Sequence, residues 1–317
     1  MSTSAPPSSG PPRPVYTGSA DDGRLVPRDW LDQAPVTRTL LALNIAVFVV
    51  QVVAQRSVSF SDATQLRFGA SYALATIGEN RWETLVTACF LHGGIVHLVF
   101  NMVVLWQAGP LVERAVGSAR MAPMYLLAGA FGNALSVLYG TYTRSGLYTV
   151  GASGAISGIV GAALVVGWRV QGWKGPLTQA MARWLGLTVA FGLLVNFSRG
   201  RIQVDNAAHI GGALAGAAIA SMWKRGYKYS PGATKAVLAT CVGVLAACIA
   251  VVAVHDQTDP FASMTEQARQ DFTMDAVYEG RCRDAHDGLI ATERLRRGRM
   301  LSLRKPVEAT CGHVGGE

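Results

Sequence analysis

Four side chains able to act as nucleophile, base or hydrogen-bond donor sit in stretches made mostly of apolar and small residues. Ser153 stands in GASGAISGIVGA, between Gly151 and Gly154, and His209 stands in DNAAHIGGALAG. His97 and Asn101 stand in FLHGGIVHLVFNM. Polar and ionisable groups in hydrocarbon are costly, so each is a functional candidate. A serine hydroxyl attacks a carbonyl only if a base removes its proton, and a neutral imidazole is such a base. The attack puts charge on the carbonyl oxygen, and that charge needs hydrogen-bond donors. His97 and Asn101, four residues apart, share one helical face and can donate in the same direction. At the beginning of a helix, Ser153 gains from the positive end of the helix dipole, while its flanking glycines let a substrate backbone come close.

Each feature also has a structural reading. Gly154 and Gly158, and again Gly212 and Gly216, have the spacing that lets two membrane helices pack closely. His97 and Asn101 can join helices as a polar pair, and a lone intramembrane His209 can be a structural residue or part of a proton path. His92, near the edge of its span, reads as structural. What the packing reading leaves unexplained is Ser153 at the helix start. If the Gly212/Gly216 face packs on the glycine-rich segment, His209 comes within reach of Ser153 at one depth.

The elements that must position these groups are membrane helices. The 317 residues are 50% hydrophobic and 15% charged, with a mean hydropathy of +0.27. Seven apolar stretches, near 36–55, 95–111, 121–142, 153–170, 180–196, 207–223 and 236–254, approach the roughly 20 residues a helix needs to cross a bilayer. Backbone polar groups in lipid must be satisfied within the segment, so each is expected as an α-helix and the fold as an all-α bundle. Residues 1–35, rich in Pro, Ser and Gly, read as a disordered tail without a cleaved targeting peptide. The connection over 56–91 is a candidate for the membrane interface.

Lys and Arg cluster after the second, fourth and sixth stretches, at Arg114 and Arg120, at Arg169, Lys174 and Arg183, and at Lys224, Arg225, Lys228 and Lys235. The positive-inside rule then puts the N-terminus in the cytoplasm and, after seven crossings, the C-terminus outside. The formal charge of +8 agrees with basic cytoplasmic loops. No basic stripe with interleaved aromatics lies outside those loops, so nucleic acid is not an expected partner.

HGGIVHLVFN, GASG at a helix start and AHIGGALAG, in that order on alternating apolar helices, resemble the rhomboid family of intramembrane serine proteases. VTRTLLALNIAVF and LVERAVGSARMAPMYLLAGAFGN extend the resemblance, which covers about 36–223. It implies a six-helix protease core over 36–224, to which residues 225–254 add a linker and a further membrane helix. It also implies Ser153 as nucleophile and His209 as base, with His97, Asn101 and the Ser153 N–H stabilising the oxyanion. No cofactor or metal is implied, and the partners expected are transmembrane protein substrates and membrane lipid. Because the family works with a dyad, Asp205 reads as a helix N-cap rather than a third catalytic member. Glu113 and Gly117 take structural roles. Two positions depart from the family pattern: Trp82 is followed by Glu83 and Thr84 instead of Arg, and Ser157 stands where some members have an aromatic ring stacked on the histidine. An inactive relative that binds membrane clients, and a transporter or proton channel, are the alternative functions. The plainest location is a bacterial cytoplasmic membrane.

Beyond the resemblance, residues 255–317 are expected outside the membrane as one or two short helices broken near Gly280 and Gly288. Cys282 and Cys311 are the only cysteine pair in this tail, and an oxidising compartment favours a disulfide between them. Cys89, Cys241 and Cys248 read as buried thiols in or beside the spans.

Overall fold

A computed structural model describes residues 33–143, 148–197, 204–224 and 229–313. The expected N-terminal tail therefore lies outside the described residues except for its last three. Seven helices build the membrane part: α1 (Pro35–Gln55), α2 (Ile95–Val116), α3 (Ser118–Thr143), α4 (Ser153–Gln171), α5 (Pro176–Phe197), α6 (Asn206–Ser221) and α7 (Pro231–Thr258). All but α6 are long and apolar enough to cross a bilayer. α6, expected as a full span, has 16 residues and hence a rise of about 24 Å. It is wedged between α3 and α4, with which it makes the largest helix contacts of the molecule.

The ends of these helices follow from local chemistry. Pro35 opens α1, and the carboxylate of Glu113 caps it, Oε1 accepting from the Val36 N–H at 2.9 Å and Oε2 from the Thr37 N–H at 2.7 Å. Two of the donors a helix start leaves unpaired are thus satisfied from α2. Gly117, at φ +85°, ends α2, and the Ser118 hydroxyl closes the turn onto Glu113. The structural role expected for Glu113 is this cap.

Leu105, Met121, Tyr125, Ile156 and Ile159 form the centre of the core, all fully buried. α4 is its innermost helix: 61% of its most apolar window is buried, against 6% for α5 and for α7. The last two therefore lie at the periphery, where exposed Leu187, Phe191 and Val242 present apolar surface to lipid.

The connection 56–94 is folded. It contains three short helices, Asp62–Arg67, Ala73–Gly78 and Thr84–Thr87, a 3-10 turn at Ala88–Phe90, and strand β1 (Ser71–Tyr72), which pairs antiparallel with β2 (Tyr148–Thr149) just before α4. Three helices follow α7: α8 (Glu266–Tyr278), α9 (Cys282–Arg296) and α10 (Leu301–Cys311). They enclose a small core of Ala276, Ala285, Leu289, Leu303 and Val307, and a Cys282–Cys311 disulfide ties α9 to α10. The chain breaks at Gly280, φ +71°, as expected. Gly288 does not break it. It lies inside α9, where a Cβ would stand 2.4 Å from Thr273 Oγ1, so its small size serves packing of α9 on α8.

Candidate active site

Ser153 is the first residue of α4 and partly exposed, so its N–H is among the free donors of a helix start. Gly151 leads into it at φ +126°, a conformation that favours glycine, and its N–H donates to the Ala88 carbonyl at 2.9 Å. A Cβ on Gly151 would stand 2.7 Å from His97 Cε1, 2.8 Å from His97 Nε2 and 3.7 Å from Asn101 Nδ2. The turn before Ser153 is thus pressed against His97 and Asn101, and any side chain at 151 would separate them.

The two donors are oriented by their own helix. His97 Nδ1 accepts from the Gly93 N–H at 3.3 Å, which in a neutral ring leaves the proton on Nε2, the edge facing Gly151. Asn101 Nδ2 donates back to the His97 carbonyl at 3.1 Å and keeps its second N–H. His92 is fully buried, stacks edge-on against His97 at 5.2 Å between ring centroids, and has its carbonyl bonded by Gln65. Its part is to support the His97 ring.

His209 lies in the first turn of α6. That helix is drawn onto α4 by glycines: a Cβ on Gly212 would fall 2.0 Å from the Gly154 carbonyl oxygen, and one on Gly216 1.9 Å from that of Gly158. On the other side, a Cβ on Gly132 of α3 would fall 2.6 Å from the Ala208 carbonyl. The turn carrying His209 is therefore fixed beside the turn carrying Ser153, as the glycine spacing predicts. His209 is buried, and its Nδ1 has no hydrogen-bond partner among the described residues.

Asp205 caps α6, Oδ1 accepting from the Ala208 N–H at 2.9 Å. Its Oδ2 accepts from the Ser136 and Thr149 hydroxyls, so the carboxylate ties α6 to α3 and β2. Sequence reasoning missed Ser136 and Thr149, whose hydroxyls reach Asp205 from 69 and 56 positions away. It also missed an open cleft beside His209, lined by Ser157 of α4, by Leu185, Thr188 and Val189 of α5, and by Ile210 and Leu214 of α6.

Among the described residues no cluster of His, Cys, Asp and Glu is arranged to hold a metal ion. What the arrangement can do is acyl transfer: a hydroxyl at a helix start, an imidazole on the helix packed against it, and donors converging on Gly151, two residues before the hydroxyl.

A family model described as the rhomboid domain matches residues 79–226, which include all four candidates. Rhomboid protease GluP of Bacillus subtilis is 33% identical over 182 residues, covering 57% of this chain and 33% of that protein. Rhomboid protease AarA of Providencia stuartii is 34% identical over 204 residues, 58% of this chain and 70% of that protein. Rhomboid-like protease 3 of Toxoplasma gondii is 30% identical over 186 residues, 57% of this chain and 66% of that protein. The chain thus spans a third of the length of GluP but most of that of AarA.

Proposed function

Because this chain belongs to the rhomboid family, we propose that it is an intramembrane serine endopeptidase working through a dyad of Ser153 and His209. Ser153 Oγ attacks the carbonyl carbon of a peptide bond in or near a substrate's transmembrane segment, and His209 Nε2 takes the hydroxyl proton. The tetrahedral oxyanion is held by the Ser153 N–H, His97 Nε2–H and the free N–H of Asn101. On collapse the C–N bond breaks, His209 returns the proton to the leaving amine, and the acyl chain stays on Ser153. Water activated by the same histidine then hydrolyses that ester. No step requires a metal or an organic cofactor.

The observation that carries this reading is the double close approach at the start of α4: Gly151 against His97 and Asn101, and Gly154 against Gly212 of the His209 helix. A passive client-binding protein has no need of a nucleophile seated between donors and an imidazole. The substrates are transmembrane proteins, and lipid surrounds the helices. The N-terminus is cytoplasmic, from the distribution of Lys and Arg. A fluorophosphonate probe tests the chemistry: the purified chain should be labelled covalently, and Ser153→Ala and His209→Ala should each abolish labelling while keeping the thermal unfolding midpoint. Labelling that survives Ser153→Ala removes the assignment.

A further inference from the structure

The cleft between α5 and α6 is lined by two residues that each carry a buried polar atom. Ser157 is fully buried, and neither its Oγ nor His209 Nδ1 has a hydrogen-bond partner among the described residues. Both residues line the same cleft, and its other walls are mainly apolar. Buried polar groups are almost always paired, by protein or by ordered water, so two orphans in one cleft ask what joins them.

Helix register supplies the geometry. α4 and α6 run parallel, Gly154 abutting Ala208 and Gly212, and Gly158 abutting Gly212 and Gly216. Gly161 abuts Ala213, and one helical turn back along both helices from that contact come Ser157 and His209. Ser153 lies one turn before Ser157 on the same face of α4. Register therefore puts His209 level with this stretch of α4, Ser153 toward the helix start and Ser157, which shares the cleft lining with it, one turn further on.

We propose that Ser157 is a positioning residue for His209, its hydroxyl holding the Nδ1 edge of the ring through one water seated in the cleft. This rests on the Ser153/His209 reading of the site. A neutral imidazole donates from one nitrogen and accepts at the other, and the partner of one fixes the role of the other. With Nδ1–H donated to the water, the Nε2 lone pair is left for the Ser153 proton. The water donates in turn to Ser157 Oγ, whose own proton can rotate to the carbonyl one turn earlier on α4. Asp205 already has both its oxygens engaged, by Ala208, Ser136 and Thr149.

The experiment uses the full chain reconstituted in phosphatidylcholine vesicles with a reporter transmembrane substrate, with kcat and KM measured separately alongside the thermal midpoint. Ser157→Ala is expected to lower kcat about tenfold, the weight of one neutral hydrogen bond, with KM unchanged. Its midpoint should change little, since the partners that Ser157 gives up are a water and a carbonyl of its own helix. Ser157→Thr, which keeps the hydroxyl, should retain most of kcat, while the isosteric Ser157→Val should fall with Ala. The Thr/Val pair holds even if Ala misfolds. Equal kcat for Thr and Val, or a wild-type kcat in a folded Ser157→Ala, overturns the proposal. Inactive Ser153→Ala in the same assay leaves the dyad reading standing in that event, whereas active Ser153→Ala removes both.

Discussion

Ser153, His209, His97 and Asn101 are given different weights by the geometry. Nucleophile and base act as a unit, so Ser153→Ala and His209→Ala should each cost on the order of a millionfold in cleavage of a transmembrane reporter, with the fold intact. His97→Ala or Asn101→Ala removes one donor of several and should slow cleavage by roughly a hundred- to a thousandfold, read as kcat on folded protein. Asp205→Asn keeps a capping oxygen for the Ala208 N–H and should do far less. Should it instead match His209→Ala at equal folded yield, the dyad would give way to a triad. The four candidates were legible because they are polar residue types at fixed spacings in apolar stretches, and the structure brings Gly151 against His97 and Asn101. The Asp205 bonds to Ser136 and Thr149 were not, since hydroxyls are common in such helices and nothing local marks the pair.

At the level of elements, one contact decides whether a site exists: the approach of α6 to α4. The glycine spacing announced it, because small residues four apart leave a groove only another backbone can fill. What spacing could not give is the short length of α6, which follows from the Asp205 cap setting its start at Asn206 and from the chain leaving the helix after Ser221. Gly212→Ala would put a methyl carbon 2.0 Å from the Gly154 carbonyl oxygen, a backbone atom with no rotamer to yield. Overpacking of this kind costs about 1–3 kcal/mol or more. The expected result is a lower unfolding midpoint in detergent together with loss of probe labelling at Ser153, since the histidine helix is pushed away. Gly243→Ala on α7, where no atom lies within 4 Å, is the matched control and should be neutral or gain up to about 1 kcal/mol from helix propensity. A Gly212→Ala variant as stable and reactive as Gly243→Ala would mean that the two helices need no such closeness.

For the whole molecule, the consequential feature is that α8–α10 are docked on the 56–94 connection. The pairing of Cys282 with Cys311 could be expected from their being the only cysteines of the tail, but docking depends on ion pairs nearly two hundred positions apart. Arg269 is fully buried, and its guanidinium uses all five N–H groups: on both Glu79 oxygens and on the carbonyls of Phe261, Met264 and Ala291. Beside it Leu295 packs with Leu66, Tyr72 and Leu91, and its carbonyl would lie 2.0 Å from a Cβ on Gly78. Glu83, where the family pattern has Arg, pairs with Arg81 and with His255 of α7, and Arg81 donates to the Ala262 carbonyl. The connection that supplies the Ala88 carbonyl to Gly151 is thereby braced from the far end of the chain. Removing one partner of a buried ion pair leaves the other charge uncompensated, at a cost of about 3–5 kcal/mol. Arg269→Ala should therefore release the C-terminal unit, seen as rapid proteolysis between α7 and α8 at a protease dose that spares the wild type. Arg269→Ala combined with Glu79→Gln removes the stranded carboxylate and should recover part of the protection. The membrane helices rest on separate contacts, so their secondary structure should persist in both variants. Equal resistance of wild type and Arg269→Ala would mean that apolar packing around Leu295 alone holds the unit, and Leu295→Ala would then be the variant that frees it.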